Sequence, residues 1–283
     1  MIDVLARADT TSFHVEPFPH LVIDGALDAD VYAALSAQFP TLDVVKRHAE
    51  RAKNNHLYLL SAREIEAAAG ISTDWKAFFR YHVSTAFWRS ALALVRPHLT
   101  ALHPRLEQIA GRPLEAFRTV VRDYNSPFDE EISLDCQFGT NSPVTRASSV
   151  RSPHLDRPSK LFNALLYCRT PEDDTPGGEL VLYRAIAPLL YAQGSSILQT
   201  RVAPAKRIAY RANRLVLFLN SPRSVHGVSP RPKTPHVRRY VNFLCEFREN
   251  LFELERASPL TRIVDSAVTA VRSRSELAIA ETV

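Results

Sequence analysis

Residues 151–169 read RSPHLDRPSKLFNALLYCR, and this stretch decides the fold. Its first half carries a His-x-Asp pattern, His154 and Asp156, followed by a turn at Arg157-Pro158-Ser159. Its second half is an apolar run typical of a buried β-strand. In an extended segment residues i and i+2 point to the same side, so the imidazole and the carboxylate converge on one point. The stretch therefore predicts a strand that begins beside a candidate metal site.

The neighbouring sequence has a similar pattern, in which clusters of Pro, Gly, Asn and Ser separate short apolar runs. We expect strands at Phe117–Tyr124, Ile132–Phe138, Leu161–Cys168, Glu179–Tyr183, Arg207–Tyr210, Leu215–Leu219 and Arg239–Phe247. Short strands without regular helices between them predict an antiparallel sandwich or barrel.

Both ends of the chain show helical patterns instead. Residues 28–39 place apolar side chains on one stripe, Ser61 and Glu64 form a capping-box pattern, and Thr73 can cap a helix that runs to about Leu94. The pattern is helical again after about residue 250. We therefore expect three parts: a mainly helical region 1–114 packed on the core, a β core 115–250 and a helical extension 251–283.

Composition excludes several classes of protein. Of 283 residues 46% are hydrophobic, which suffices for a sizeable core, and no apolar run approaches the length of a membrane span. The net charge of +5 comes without a Lys/Arg block, which disfavours a nucleic-acid partner. Three cysteines, an odd number at wide spacing, predict buried thiols in a reducing cytoplasm: Cys136, Cys168 and Cys245. The N-terminus lacks the apolar segment of a signal peptide.

A third metal ligand is expected downstream. Residues 213–230, NRLVLFLNSPRSVHGVSP, form an apolar strand and a turn that end at His226. Two histidines and one carboxylate suit Fe(II) and leave three coordination positions open. The His-x-Asp/Glu patterns of the chain are His14/Glu16, His48/Glu50 and His154/Asp156. The first two lie in the helical or irregular N-terminal region, where we interpret them as surface pairs.

The order of these elements resembles the 2-oxoglutarate/Fe(II) oxygenase superfamily and, locally, its prolyl hydroxylase branch in bacteria. The resemblance covers about residues 145–247, with weaker similarity at residues 18–35. It rests on the His-x-Asp pattern, a tyrosine that ends the next strand, the GGEL segment, the RLVLF strand, the distal His-x-Val-x-Pro and an Arg-Tyr strand start. The implied fold is α+β, with a double-stranded β-helix (jelly-roll, cupin-like) core and packed helices.

The resemblance also implies roles for individual residues. The residues that match the catalytic metal ligands are His154, Asp156 and His226. Arg239, which precedes Tyr240, matches the arginine that binds the distal carboxylate of 2-oxoglutarate, and Tyr167 matches the tyrosine that supports it. Arg238 is the rival, since strand alternation lets only one of the two arginines point inward.

Other residues are candidates for the pocket. Asn163 is a candidate for a hydrogen bond to cofactor or substrate, and the candidates for substrate contact are Gln137, Arg157 and Arg238. Gly177-Gly178 fits either a close approach of the backbone to the cofactor or a plain turn. The loop from Ala185 to Pro204 fits either a lid or an oligomer contact, and a homodimer stays open.

The implied activity is that of a dioxygenase that uses Fe(II), 2-oxoglutarate and O2 and releases succinate and CO2 while it hydroxylates an unactivated C–H bond. We expect a small biosynthetic intermediate as substrate, and the net charge is compatible with an anionic one. Hydroxylation of a peptide or protein side chain, as by prolyl hydroxylases, is the alternative. A metal-binding cupin-type isomerase without 2-oxoglutarate is a further alternative. The carboxylate of Asp156 argues against halogenation, whereas desaturation, epimerisation and ring closure stay open.

Overall fold

Strands occupy the middle of the chain in the computed structural model, which describes residues 2–9, 12–47, 52–191, 196–253 and 255–280. Residues 270–280 are described by their backbone alone. The His48/Glu50 pattern and part of the predicted 185–204 loop lie outside the described residues.

A large antiparallel sheet forms the centre of the molecule. Its strands are Phe13–His14 (β1), His20–Asp24 (β2), Leu57–Leu60 (β3), Thr119–Val121 (β4), Ile132–Asn141 (β5), Lys160–Tyr167 (β6), Arg214–Leu219 (β9) and Arg238–Phe247 (β11). Their order is β1-β2-β9-β6-β11-β5-β3, and β4 runs parallel to β5 beside this path. A smaller sheet has the order β10-β7-β8, formed by Leu180–Ala185 (β7), Val202–Ile208 (β8) and His226–Val228 (β10).

An irregular segment extends the smaller sheet beyond β10. Residues 144–154 pair with residues 226–234 through isolated antiparallel bridges: Val144 with Thr234, Ser148 with Arg231 and His154 with His226. With this segment included, two sheets face each other, and the core is a double-stranded β-helix of the jelly-roll type. The predicted α+β fold class is confirmed.

Helices cover the outer face of the large sheet. They are Ala29–Ala37 (α1), Leu42–Lys46 (α2), Ala62–Ala67 (α3), Thr73–His82 (α4), Thr85–Leu102 (α5) and Leu106–Ala110 (α6). Pro259–Ala280 (α7) instead contacts the turn before β8, where its Asp265 accepts hydrogen bonds from Thr200. The predicted capping box of Ser61 and Glu64 opens α3. The single helix expected from Thr73 to Leu94 is instead two, because Ser84 accepts a hydrogen bond from the backbone N–H of Phe87 and thereby starts a new helix.

Strand alternation divides the core into two layers. In β9, Leu215, Leu217 and Leu219 join the cluster that contains the helices, whereas Val216 and Phe218 join the cluster between the two sheets. All six residues of β9 are buried, since both faces of the sheet are covered. The space between the sheets is therefore the place where a strand can present polar side chains to a cavity.

Several strands differ from the sequence expectation. The N-terminal region supplies β2 and β3 to the large sheet, although its pattern indicated mainly helix. The strand expected at Arg207–Tyr210 overlaps only the end of β8. All three cysteines are buried and free, as predicted. The division into regions 1–114, 115–250 and 251–283 stays a prediction. Within the described ranges, none of the helices combines the length and the apolar character needed to cross a bilayer.

The buried His82 makes the stability of this core depend on pH. Burial among Phe78, Phe87 and Phe243 lowers the pKa of His82 from 6.5 to about 4. Because the unfolded chain then binds a proton that the folded chain refuses, stability should fall as the pH drops from 6.5 to 4, by up to about 3 kcal/mol.

Urea unfolding of the wild type and of His82→Gln between pH 4 and 7 tests this expectation. Gln can still donate to the Phe78 carbonyl and accept from the Val4 N–H, as His82 does. The variant should show a shallower dependence of stability on pH than the wild type, and equal slopes would contradict the assignment.

Candidate metal and cofactor site

His154 and His226 meet as a cross-strand pair. Each donates its backbone N–H to the other's carbonyl, at 2.9 and 3.0 Å, and their ring centroids lie 4.2 Å apart. Asp156 follows two residues after His154 and points to the same side, so that its Oδ2 lies 3.6 Å from Nε2 of His226. One potential ligand atom from each of the three residues lies within 4.8 Å of the others.

Hydrogen bonds orient both imidazoles for metal binding. Nδ1 of His154 lies 2.9 Å from the carbonyl of Ser152, and Nδ1 of His226 lies 2.9 Å from that of Ser224. A carbonyl can only accept, so each Nδ1 carries the hydrogen and each Nε2 keeps its lone pair. Burial lowers the pKa of both histidines, which keeps the rings neutral, the form that binds metals.

The carboxylate of Asp156 is held from both sides. Lys160 donates to Oδ1 at 3.0 Å, and the amide of Asn163 donates to Oδ2. Burial raises the pKa of this carboxyl, but the charge and the hydrogen bond of Lys160 act in the opposite direction, and the pKa lies below its usual range. Asn163, predicted to contact cofactor or substrate, thus contacts a candidate metal ligand, and its position on β6 serves to orient that ligand.

The three side chains open on a cavity of about 1160 Å³ between the two sheets. Two neutral imidazoles and one charged carboxylate from one side form the donor set of a facial triad, which suits Fe(II). Gln137, Arg157, Asn163 and Arg238 line the same cavity. The structure thus brings most of the predicted site residues together.

Arg239 lies on the opposite face of the sheet, and this placement corrects the assignment made from sequence. Its Nε donates to the carbonyl of Cys168 at 3.0 Å, and its guanidinium lies 4.9 Å from the ring of Phe39. Along β11 it shares a face with Val241 and Phe243, which belong to the cluster that contains the helices. Because side chains alternate along a strand, its neighbour Arg238 faces the cavity instead.

Arg238 is fixed in the cavity wall by backbone and aromatic contacts. It is 2% exposed, and its Nε donates to the carbonyl of Gly178 at 3.0 Å. The rings that surround its guanidinium, at 5.1, 4.9 and 5.0 Å, are those of Tyr167, Tyr210 and Tyr240. This arrangement gives the guanidinium one orientation, as recognition of a planar carboxylate requires.

The Gly177-Gly178 pair brings that carbonyl into place. Both residues have positive φ, 78° and 71°. A Cβ on Gly177 would lie 2.0 Å from the carbonyl oxygen of Pro230, so only glycine permits this approach. The pair therefore allows two backbone segments to approach closely, and it places the Gly178 carbonyl where it accepts the hydrogen bond from Arg238.

Buried donors without acceptors test whether 2-oxoglutarate fits here. Among the described residues, four buried polar groups at or near the Arg238 guanidinium make no hydrogen bond of good geometry. They are Nη2 of Arg238, Nε of Arg231, Nδ2 of Asn141 and the hydroxyl of Tyr167. Burial raises the pKa of Tyr167, so the hydroxyl stays protonated. Arg231 pairs with Asp173 at 2.9 Å, whereas Arg238 has no carboxylate partner in the described part of the chain. An anionic carboxylate would satisfy these donors, so the residues fit the distal end of 2-oxoglutarate.

Sequence reasoning did not identify Lys160 or Tyr210, and it placed Asn141 and Arg231 near the metal segments without giving either one a specific contact. Lys160 stands four residues after Asp156, and this spacing was the one available signal. Tyr210 donates to the carbonyl of Arg239, and Asn141 on β5 accepts a hydrogen bond from Arg238 on the adjacent strand β11. Contacts between distant segments leave no local pattern in a sequence.

The comparison with family models agrees with this site. Residues 144–244 match the family model of the 2OG-Fe(II) oxygenase superfamily. No curated protein matches the sequence significantly. Among solved structures, a prolyl-4-hydroxylase from Pseudomonas putida has a TM-score of 0.41 and 15% identity, covering 88% of this chain and 97% of its own.

Two further structures show the range of similar proteins. A prolyl hydroxylase from Trichoplax adhaerens, solved with a hypoxia inducible factor peptide, has a TM-score of 0.43 and 13% identity, covering 87% of this chain and 90% of its own. The epimerase SnoN, solved with Fe3+, alpha ketoglutarate and nogalamycin RO, has a TM-score of 0.46 and 13% identity, covering 84% and 91%.

The fold and the site are those of a jelly-roll protein with a candidate His-Asp-His metal centre. Residues 144–244, which contain all three candidate ligands, match the family model of the 2OG-Fe(II) oxygenase superfamily, and the predicted resemblance is confirmed. The superfamily uses Fe(II), 2-oxoglutarate and O2, in agreement with the predicted cofactors.

The two arginines can be separated by matched variants. Arg238→Met should weaken the binding of 2-oxoglutarate at least about 30-fold, since a buried carboxylate then loses its charged partner. Arg239→Met should keep the affinity within about threefold, because its guanidinium lies on the other face of the sheet. Anaerobic calorimetric titration of the ferrous protein with 2-oxoglutarate measures both, and the reverse ranking would restore the assignment made from sequence.

Proposed function

We propose that this protein is an Fe(II)/2-oxoglutarate-dependent dioxygenase that hydroxylates an unactivated C–H bond of a small, anionic molecule and releases succinate and CO2. The observation that carries the proposal is the joint presence, in one cavity, of the oriented His-Asp-His triad and of the buried Arg238, which has no carboxylate partner among the described residues. When bound, iron with 2-oxoglutarate and O2 supplies the oxidising power that protein side chains lack.

Each side chain has a defined task in this proposal. The proposed ligands of iron are His154, Asp156 and His226, and the proposed partners of 2-oxoglutarate are Arg238, Tyr167 and Asn141. Asn163 and Lys160 hold the carboxylate of Asp156 in one orientation. The ring of Phe218 lies 4.4 Å from that of His226 and covers it with an apolar surface.

The charges around the cavity support an anionic substrate. Three arginines of the wall are paired with acids, in the pairs Arg47–Glu64, Arg63–Asp123 and Arg122–Glu246. Arg157 also lines the cavity, directly after Asp156, and forms no ion pair within the described ranges. A substrate anion would be attracted by this unmatched charge. Arg157 is therefore a proposed substrate contact, whereas the amide of Gln137, although it lines the cavity, is bonded to Asp135 and Asn242.

Arg238 also separates this proposal from a cupin-type isomerase. Such an enzyme would share the barrel and the histidines but would not need a buried arginine on the last core strand. Burial of a guanidinium without a carboxylate partner costs free energy, and the attraction to an anionic co-substrate would offset this cost.

The experiment is oxygen-dependent formation of succinate by the ferrous protein supplied with 2-oxoglutarate and a panel of small acids. His226→Ala should lower iron affinity more than about 100-fold and abolish succinate formation, since it removes a ligand rather than a ligand's support. His236→Ala is the matched control, because it removes a half-buried histidine of the loop before β11. Iron retention by His226→Ala, or no binding of 2-oxoglutarate by the wild type, would refute the proposal.

A further inference from the structure

A chain of polar side chains crosses the cavity floor at a distance from the metal site. We call it the amide relay, and it consists of Asp135 and Gln137 on β5, Asn242 on β11 and Tyr124. Gln137 donates to Asp135 at 2.7 Å, and Asn242 donates to Gln137 at 3.1 Å. Asp135 and Gln137 are buried, whereas Asn242 is partly exposed and, like Gln137, lines the cavity.

Asp135 sets the direction of the relay. Its carboxylate accepts hydrogen bonds from the backbone N–H groups of Ala62 and Cys136, at 3.0 and 2.9 Å, and from the hydroxyl of Tyr124 at 2.8 Å. Burial raises the pKa of this carboxyl, and the donors oppose that rise. A carboxylate held by donors only accepts, so Gln137 must turn its NH2 group toward Asp135.

The orientation of Gln137 then determines that of Asn242. Because the NH2 group of Gln137 donates to Asp135, its carbonyl oxygen faces Asn242. Asn242 must therefore donate to this oxygen with its own NH2 group. Oδ1 of Asn242 is therefore left on the cavity side, and it accepts no hydrogen bond from the described residues. Rotating the amide by 180° would set two oxygens against each other and break the link to Gln137.

The position of Asn242 suits contact with a substrate held at the metal. Asn242 pairs with Leu165 across the sheet, and Leu165 stands two residues after Asn163, which contacts Asp156. One strand across and two residues along place the Cα of Asn242 about 8 Å from that of Asn163. Asn242 therefore lies within the reach of a small molecule whose reacting carbon is held at the triad.

We propose that Oδ1 of Asn242 is a substrate-recognition group that accepts a hydrogen bond from a hydroxyl or N–H group of the substrate. The substrate class is then a small molecule that carries such a donor away from the oxidised C–H bond, on the side that faces Asn242. This inference rests on the proposed function for the place of the reaction. An analogue without the donor would cover this fixed oxygen without pairing it, which is the strongest discrimination that a polar pocket offers.

The test uses pairs of small carboxylic acids that differ by one hydroxyl or amino group replaced by hydrogen. Succinate formation in the presence of each member is measured for the wild type, for Asn242→Leu and for Asn125→Leu. Asn125 borders the same cavity but is not part of the amide relay, so it controls for the same substitution.

We expect the wild type to favour the donor-bearing member of at least one pair by tenfold or more. Asn242→Leu should bring that ratio close to one, and Asn125→Leu should keep it. If no pair separates in the wild type, or if Asn242→Leu keeps the preference, the inference is wrong. Binding of 2-oxoglutarate by the ferrous wild type is recorded in parallel, because its absence would refute the proposed function rather than the role of Asn242.

Discussion

The antiparallel pairing of His154 with His226 is the constraint on which the site depends. The two residues are far apart in sequence, yet their backbones exchange two hydrogen bonds, and this exchange places their rings side by side. Because side chains alternate along a strand, a slip of one residue in this register would turn one ring away from the other. Asp156 and the carbonyls that hold both rings follow from the same extended backbone.

A second constraint is the covering of the large sheet on both faces. Helices pack on one face with Leu215, Val241 and Phe243, and the smaller sheet stands opposite the other face. Each strand must therefore sort its residues between an apolar layer and a cavity wall. In β11 the side chain of Arg239 faces the helices, whereas those of Arg238 and Asn242 face the cavity, where a ligand can reach them.

The charges in the cavity depend on burial and on partners. Burial keeps His154 and His226 neutral, whereas Lys160 helps to keep Asp156 charged against the effect of burial. Arg238 has aromatic rings and a backbone carbonyl around it but no carboxylate among the described residues. The triad and the arginine thus form two complementary halves, one suited to a cation and the other to an anion.

The sequence alone determined the class of fold, most core strands and the candidate pair His154 and Asp156, because strand periodicity and the i, i+2 spacing are local properties of the chain. The resemblance to an oxygenase superfamily added His226 as the third candidate ligand. Tertiary structure decided which arginine faces the cavity, since local alternation says that one of two neighbours points inward but not which one. It also decided the contacts of Asn163 with Asp156 and the orientation of Asn242. These follow from partners on other strands, whose hydrogen-bonding directions no short stretch of sequence contains.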